Sequence, residues 1–259
     1  MGIGLPDYDS QHELYDLIYG NYAEDLPFYL HEAKKARGAV LEVGCGTGRI
    51  LLRLLSEGVD AYGIDISQSM VAQLERKARK IGISTSGRIK IADMRKFFFR
   101  KKFSLAIVPF RVFLHLLTTS DQLSALKCIR KSLKKGGRMI LNFFLPSAKF
   151  ICSNYNKKVS WQAYGKPASS IAQNPAKSIR VVDFTRYENE PEQIIKVCQT
   201  VYEGKKKLGS YSFRLSLIYK REFELLLRAA GFSKWRVYGG FKKQKLVSSK
   251  QEMVWEAFR

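Results

Sequence analysis

Cysteine and histidine are scarce, and the scarcity excludes whole classes of chemistry. The chain of 259 residues holds four cysteines, Cys45, Cys128, Cys152 and Cys198, and only three histidines. They are scattered with no C-x-x-C pair, so neither a zinc site nor a disulfide framework is expected. No apolar run approaches the roughly 20 residues of a membrane helix. The first residues, Met1-Gly2-Ile3-Gly4-Leu5-Pro6, lack the basic-then-apolar order of a secretory signal. Pro6 also stands where N-myristoylation wants Ser or Thr. A cytoplasmic location is the default expectation. Acidic residues are the other shortage: 23 Asp and Glu face 45 Lys and Arg, for a net charge of +22. Such an excess suits nucleic acid or an anionic surface. The basic residues are nonetheless spread over nearly every segment, which equally describes a solvated lysine-rich surface.

What is present is an ordinary globular composition, 46% apolar and 26% charged, with enough chain for a large core. One stretch stands out: Val40-Leu41-Glu42-Val43-Gly44-Cys45-Gly46-Thr47-Gly48-Arg49. It reads as a buried strand, a glycine-rich turn and the first turn of a helix. Such a turn brings backbone amides and a helix N-terminus against a ligand. A dinucleotide fingerprint is G-x-G-x-x-G, whose last small residue lets helix and strand pack closely. Here the spacing is G-x-G-x-G, and the last fingerprint position is Arg49, a poor fit to close packing. Cys45 meets only the loop's need for a small residue, and a catalytic thiol is not expected there.

Residues 8–37 carry helical signals, with Asp9 or Ser10 as a cap and Leu14, Leu17 and Ile18 on one face. From 39 to about 145 strand and helix alternate, with strands at 39–43, 60–64, 88–92, 104–108 and 138–144. Ser67 caps a helix that Gly82 ends, and a later helix spans about 120–134. Lys134-Lys135-Gly136-Gly137 makes the turn into strand five. This alternation implies a parallel sheet covered on both faces. Residues 155–190 show no helical period. Ile195, Val197, Gln199 and Val201, then Tyr211, Phe213, Leu215 and Leu217, alternate with polar neighbours as an antiparallel hairpin. A helix through Phe223, Leu226, Leu227 and Ala230 stops at Gly231. Strands near 233–239 and 251–258 follow. The expected organisation is N-terminal helices and a core over 1–145, an antiparallel insertion over 146–219, and a last helix with two strands over 220–259.

Glu42, Gly44, Gly46 and Gly48 match position by position motif I of the class I S-adenosylmethionine (SAM)-dependent methyltransferases, and the chain resembles that family. Further matches follow in order. Asp65 ends Ala61-Tyr62-Gly63-Ile64-Asp65, about 20 residues past the glycines, where the family's acid accepts from both ribose hydroxyls. Asp93 and Met94 stand where an acid meets the adenine amine and a backbone amide meets a ring nitrogen. Leu133-Lys134-Lys135-Gly136-Gly137 resembles the Leu-(Lys/Arg)-Pro-Gly-Gly turn, with Lys135 for proline. Leu226-Leu227-Arg228-Ala229-Ala230-Gly231-Phe232 resembles the step into strand six. The resemblance implies a Rossmann-like α/β fold, a seven-stranded mostly parallel sheet with helices on both faces and strand seven antiparallel, plus the antiparallel insertion. It implies SAM as cofactor and S-adenosyl-L-homocysteine as product. It also implies that Ile66 and Met70 flank the adenine, that Tyr15 and Tyr22 close over the cofactor, and that Arg49 meets either its carboxylate or a surface one. Read without the family, Asp65 and Asp93 are equally turn-capping residues, and the tyrosines equally packing.

The segment after strand four, Val108-Pro109-Phe110-Arg111-Val112-Phe113-Leu114-His115, is expected to face the ligands, with Pro109 on the cofactor side. It lacks the polar residue of the (Asn/Asp)-Pro-Pro-(Tyr/Phe) sequence that holds amide or base amines. His115 is either a general base or a packed histidine, and Arg111 pairs either an anionic substrate or the cofactor carboxylate. Inserts like 146–219 occur in relatives acting on sugars, amines and other small molecules, which implies a small-molecule acceptor. An RNA methyltransferase gripping phosphate through Lys205-Lys206-Lys207 and other clusters is the alternative, and a catalytically silent SAM-binding protein a third. Nothing in the sequence fixes an oligomeric state.

Overall fold

The computed structural model describes residues 8–154, 156–163 and 179–259. Two helices lead, α1 (Tyr8–Tyr19) and α2 (Leu26–Lys35). The core then alternates β1 (Val40–Val43), α3 (Leu51–Ser56), β2 (Ala61–Asp65), α4 (Gln68–Lys80), β3 (Ile89–Ile91), β4 (Phe103–Val108), a 3-10 turn (Val112–His115), α5 (Thr119–Ser132) and β5 (Leu133–Phe144). After α6 (Ala148–Asn154) come four strands, β6 (Lys158–Gln162), β7 (Ile179–Asn189), β8 (Ile194–Glu203) and β9 (Lys206–Ser216). The chain closes with α7 (Lys220–Ala229), β10 (Lys234–Tyr238) and β11 (Glu252–Phe258).

Seven strands form one sheet in the order β10-β11-β5-β4-β1-β2-β3. All pairs are parallel except those of β11, which runs against both β5 and β10. Its strands are near-continuous apolar runs because both faces are covered. On one face Phe113, Phe143, Phe223 and Trp255 pack under α5 and α7; on the other Tyr29, Leu51, Leu54 and Leu74 pack under α2, α3 and α4. Each such buried side chain contributes about 1.5–3 kcal/mol. The order of the strands reverses between β1 and β4, and ligands of open α/β sheets bind outside the carboxyl ends at that switch.

A second, antiparallel sheet has the order β6-β7-β8-β9. Two of its strands, β6 and β7, fall within the stretch 155–190, where the sequence shows no helical period. Residues 164–178 of that stretch lie outside the described residues. The expected turn at Lys134–Gly137 is instead an irregularity within β5: Leu133 pairs with Phe103, and regular pairing resumes at Arg138 opposite Leu105. Asp9 and Ser10 lie within α1 rather than capping it. Ser67 does cap α4, its hydroxyl accepting from the Met70 amide. Among the described residues no helix is long and apolar enough to cross a membrane.

Candidate active site

The carboxyl ends of β1, β2 and β4 open into a cleft of about 1830 Å³, whose far wall is the antiparallel sheet. A single ligand pocket spans about 300–1,000 Å³, so there is room for two ligands side by side.

The glycine loop forms its floor. Gly44, Gly46 and Gly48 have φ of +76°, +49° and +86°, conformations that side chains disfavour. They serve different ends. A Cβ on Gly44 would stand 2.4 Å from Val112, and one on Gly48 would stand 2.7 Å from Leu74. Nothing lies within 4 Å of the Cβ position of Gly46, which lines the cleft. A ligand can therefore approach that backbone closely. The amides expected to meet a ligand are bonded within the protein. Gly44 and Cys45 donate to the Ile64 carbonyl at 2.8 and 2.9 Å, Gly48 to the Cys45 carbonyl at 2.9 Å, and Gly46 to Asp65 Oδ2 at 2.7 Å. The loop serves by lacking side chains. Gly48→Ala is expected to cost about 2–3 kcal/mol, from the strained φ and the Leu52 and Leu74 clash, read as a lower urea midpoint.

Asp65 lines the cleft and ties two turns together, accepting from the amides of Gly46 and, at 2.9 Å, Ser67. It is thus a turn cap and a cleft residue at once. Asp93 accepts from the Arg95 amide at 2.8 Å and from its guanidinium at 2.5–3.0 Å, and Arg95 reaches on to Asp121 at 2.7 Å. Burial alone would raise the Asp93 carboxyl, but the Arg95 hydrogen bonds and charge outweigh it and hold it below its usual range. Ile66, Met70 and Met94 line the same end, and Ile66 is 42% exposed, an apolar face open to a ligand.

Five expected contacts lie elsewhere: Glu42, Cys45, Gly48, Arg49 and Pro109 are not among the residues that line the cleft. Glu42 is buried beneath the loop, accepting from the Leu51 amide, and burial pushes its carboxyl well up. Cys45 packs toward Gly63 with its thiol pushed up by burial, unlike an activated thiolate. Arg49, instead of meeting a ligand, forks onto Asp25 at 2.6 and 2.7 Å and donates to the Tyr22 carbonyl at 3.0 Å. Its guanidinium also stands 5.1 Å from the Tyr22 and Phe110 ring centres.

These contacts hold the N-terminal segment over the loop. Asp16 of α1 joins Thr47 Oγ1 at 2.5 Å, Gln73 at 3.0 Å and Lys77 at 2.7 Å. Tyr15, Tyr19 and Tyr22 thereby line the cleft. Tyr19 and Tyr22 stand 5.1 and 5.2 Å from Phe110.

Phe110 and Arg111, just after β4, have φ of +56° and +64°. Two consecutive left-handed side-chain residues cost of order 1–3 kcal/mol each and persist only where surroundings fix them. Asn142 of β5 does so. Its Oδ1 accepts from the Phe110 amide at 2.9 Å and Tyr29 at 2.7 Å, while its carbonyl accepts from the Arg111 amide at 3.2 Å. The Arg111 guanidinium is engaged by Glu252 at 2.9 and 3.1 Å, rather than held free for an anion. His115 lines the cleft beside Phe213, and burial lowers its imidazole to about 4 against a backbone hydrogen bond to Arg214. Asn142 was missed by sequence reasoning; a lone amide inside the apolar run Met139–Phe144 was the available signal. Also missed were Trp161 and Asp183 on the far wall, and the role there of Gln199, which had been read only as part of the hairpin.

A family model described as a methyltransferase domain matches residues 40–137, the strands that carry the glycine loop, Asp65 and Asp93. The chain is 22% identical over 243 residues to a dTDP-3-amino-3,4,6-trideoxy-alpha-D-glucopyranose N,N-dimethyltransferase of Streptomyces venezuelae, covering 90% of this chain and 94% of that protein. Among solved structures it is similar to a SAM-dependent methyltransferase from Clostridium acetobutylicum, with a TM-score of 0.74 at 14% identity, covering 97% and 98% of the two chains. It is also similar to a SAM-bound amino pentose methyltransferase from Micromonospora echinaspora, with a TM-score of 0.68 at 16% identity, covering 100% and 99%. At those identities the structural likeness speaks for the fold, and the matched domain for the activity. The matched methyltransferase domain supports SAM-dependent methyl transfer, and the fold is that of the class I enzymes.

Proposed function

We propose that this enzyme transfers the methyl group to an amine nitrogen of a small, sugar-like acceptor. The observation that carries the reading is one cleft lined both by the glycine loop, Asp65 and Asp93 and by Tyr19, Trp161 and Phe213 toward the antiparallel sheet. The two relatives named for amino-sugar substrates support it. Beside the glycine loop Asp65 receives the ribose hydroxyls, Asp93 and the Met94 amide receive the adenine, Ile66 and Met70 flank the base, and Gly46 gives close approach. Tyr15 and Tyr22 close the cofactor in. Bound SAM supplies an electrophilic methyl group on a sulfonium. The chain's own contribution is to align the acceptor with it and exclude water, a positioning effect worth on the order of 7–11 kcal/mol.

His115 is neutral near pH 7 and so offers the acceptor a hydrogen-bond contact without a charge. His115→Ala is expected to lower kcat by about 100-fold while the SAM dissociation constant moves less than about twofold. Equal turnover would end that role. Its lowered pKa also sets a sign. The neutral form is favoured in the fold, so His115 contributes stability above its ordinary value of 6.5, lost as pH falls toward about 4.

The deciding experiment is methyl-labelled SAM offered with an amino sugar, its hydroxyl analogue and RNA. Label in the amino sugar is expected. Label in RNA, with affinity collapsing steeply as salt rises, would instead assign the +22 charge to phosphate binding.

A further inference from the structure

The inner face of the antiparallel sheet is mostly apolar, and one row on it joins three polar side chains. Cross-strand partners share a face, so the register gives its rows directly. Val181 pairs with Val201, Thr185 with Val197 and Phe213, and Tyr187 with Ile195 and Leu215. Between them runs Asp183–Gln199–Tyr211, a carboxylate, an amide and a phenol in register on three strands. The row is held together by its own hydrogen bonds. Gln199 Nε2 donates to Asp183 Oδ1 at 2.9 Å and to the Tyr19 hydroxyl at 2.8 Å, and Tyr211 donates to Gln199 Oε1. Trp161, from β6, donates its indole N–H to Asp183 Oδ2 at 2.9 Å.

Each Asp183 oxygen thus accepts one hydrogen bond, from a neutral group, and a carboxylate offers about four acceptor positions. Among the described residues no Lys, Arg or His forms an ion pair with it. Burial, against these two hydrogen bonds, pushes its carboxyl up, and no neighbouring cation lowers it. A desolvated carboxylate is ordinarily paired, and this one lines the cleft together with Tyr19, Trp161 and Gln199. Tyr19 and Trp161 have ring centres 5.9 Å apart, so the carboxylate is bordered by aromatic surface. An acid against aromatic rings suits an organic ammonium, which gains both an ion pair and cation–π attraction. Tyr19 also stands 5.1 Å from the Phe110 and Tyr15 rings, which brings the row next to the segment that follows β4.

We propose that Asp183 is the acceptor-binding carboxylate, receiving an ammonium group of the acceptor beside the Tyr19 and Trp161 rings, with Gln199 and Tyr211 holding the carboxylate in place. This rests on the amine reading above and deepens it: the acceptor is cationic on arrival, passes one N–H proton to Asp183, and then attacks the methyl carbon with the freed lone pair as the S–C bond breaks and the neutral thioether leaves. Asp183 then selects amines over alcohols.

The test reads binding apart from turnover. The protein is saturated with S-adenosyl-L-homocysteine and titrated with D-glucosamine, then with uncharged D-glucose, following tryptophan fluorescence, since Trp161 bonds directly to Asp183. Glucosamine is expected to give a saturable change and glucose none. Asp183→Asn keeps the shape and should weaken glucosamine at least tenfold, Asp183→Glu should recover part of the loss, and the homocysteine product should bind all three proteins alike. A wild type that does not distinguish the two sugars, or an Asp183→Asn variant that binds glucosamine unchanged, overturns the proposal. Failure to bind the homocysteine product would strike the cofactor assignment instead. Methyl transfer to alcohols without preference for amines would sink both the Asp183 role and the amine reading, leaving only a small-molecule acceptor.

Discussion

Arg49→Met is expected to lower the unfolding free energy by about 3–5 kcal/mol, the largest effect on stability of any substitution considered. The reason is what it leaves behind. The Asp25 side chain is fully buried and that of Arg49 is 10% exposed, so the forked pair has little water to fall back on. Removing one member strands a buried charge, whereas replacing both can be close to neutral. Urea unfolding of Arg49→Met, Asp25→Leu and the double variant measures this, with the double variant more stable than the sum of the single losses predicts. A loss below about 1 kcal/mol for Arg49→Met would mean that the pair is solvated. Since Arg49 also holds the Tyr22 carbonyl, the variant should bind SAM more weakly as the N-terminal segment loosens.

For the cofactor, Asp65→Ala carries the largest expected effect, about a 100-fold weaker SAM dissociation constant, or roughly 2.7 kcal/mol. Hydrogen bonds to a charged group contribute about 1.5–3 kcal/mol each. Asp65 would supply such bonds to the ribose while already bonding the Gly46 and Ser67 amides. The substitution therefore removes a ligand contact and releases the glycine loop. Calorimetry on the folded variant decides it, and unchanged affinity would take Asp65 out of the site. Asp65→Asn, which can still accept from one amide, should lose less.

The positions of the glycines and Asp65, and through the resemblance those of Asp93 and Met94, could be placed from the chain because each lies next to its own strand end. Local order and strand-helix alternation are then enough to position them. The far wall was harder for a physical reason. β7 faces the cleft with Asp183 and Thr185 beside Val181, so its inner face carries polar groups where a core-facing strand would be apolar. The residues that make a site are the ones that break the period by which strands are recognised. β6, Lys158–Gln162, is a short edge strand mostly exposed, with little apolar signal to find.

Arg49 and the loop amides show the same limit from the other side. Sequence fixed their place beside the ligand-facing turn, yet their partners come from 24 residues upstream for Arg49 and 19 downstream for Gly46. Composition, glycine spacing and hydrophobic period by themselves determined a doubly covered parallel sheet with a glycine-rich turn after its first strand, and the family resemblance added the two acids downstream. Only the tertiary structure decided that those amides face inward, that Arg49 is a buried strut, and that Asp183 meets the cleft. Backbone propensity and period act over a few residues, whereas pairing of charges and hydrogen-bond donors is settled by which distant strands close on one another.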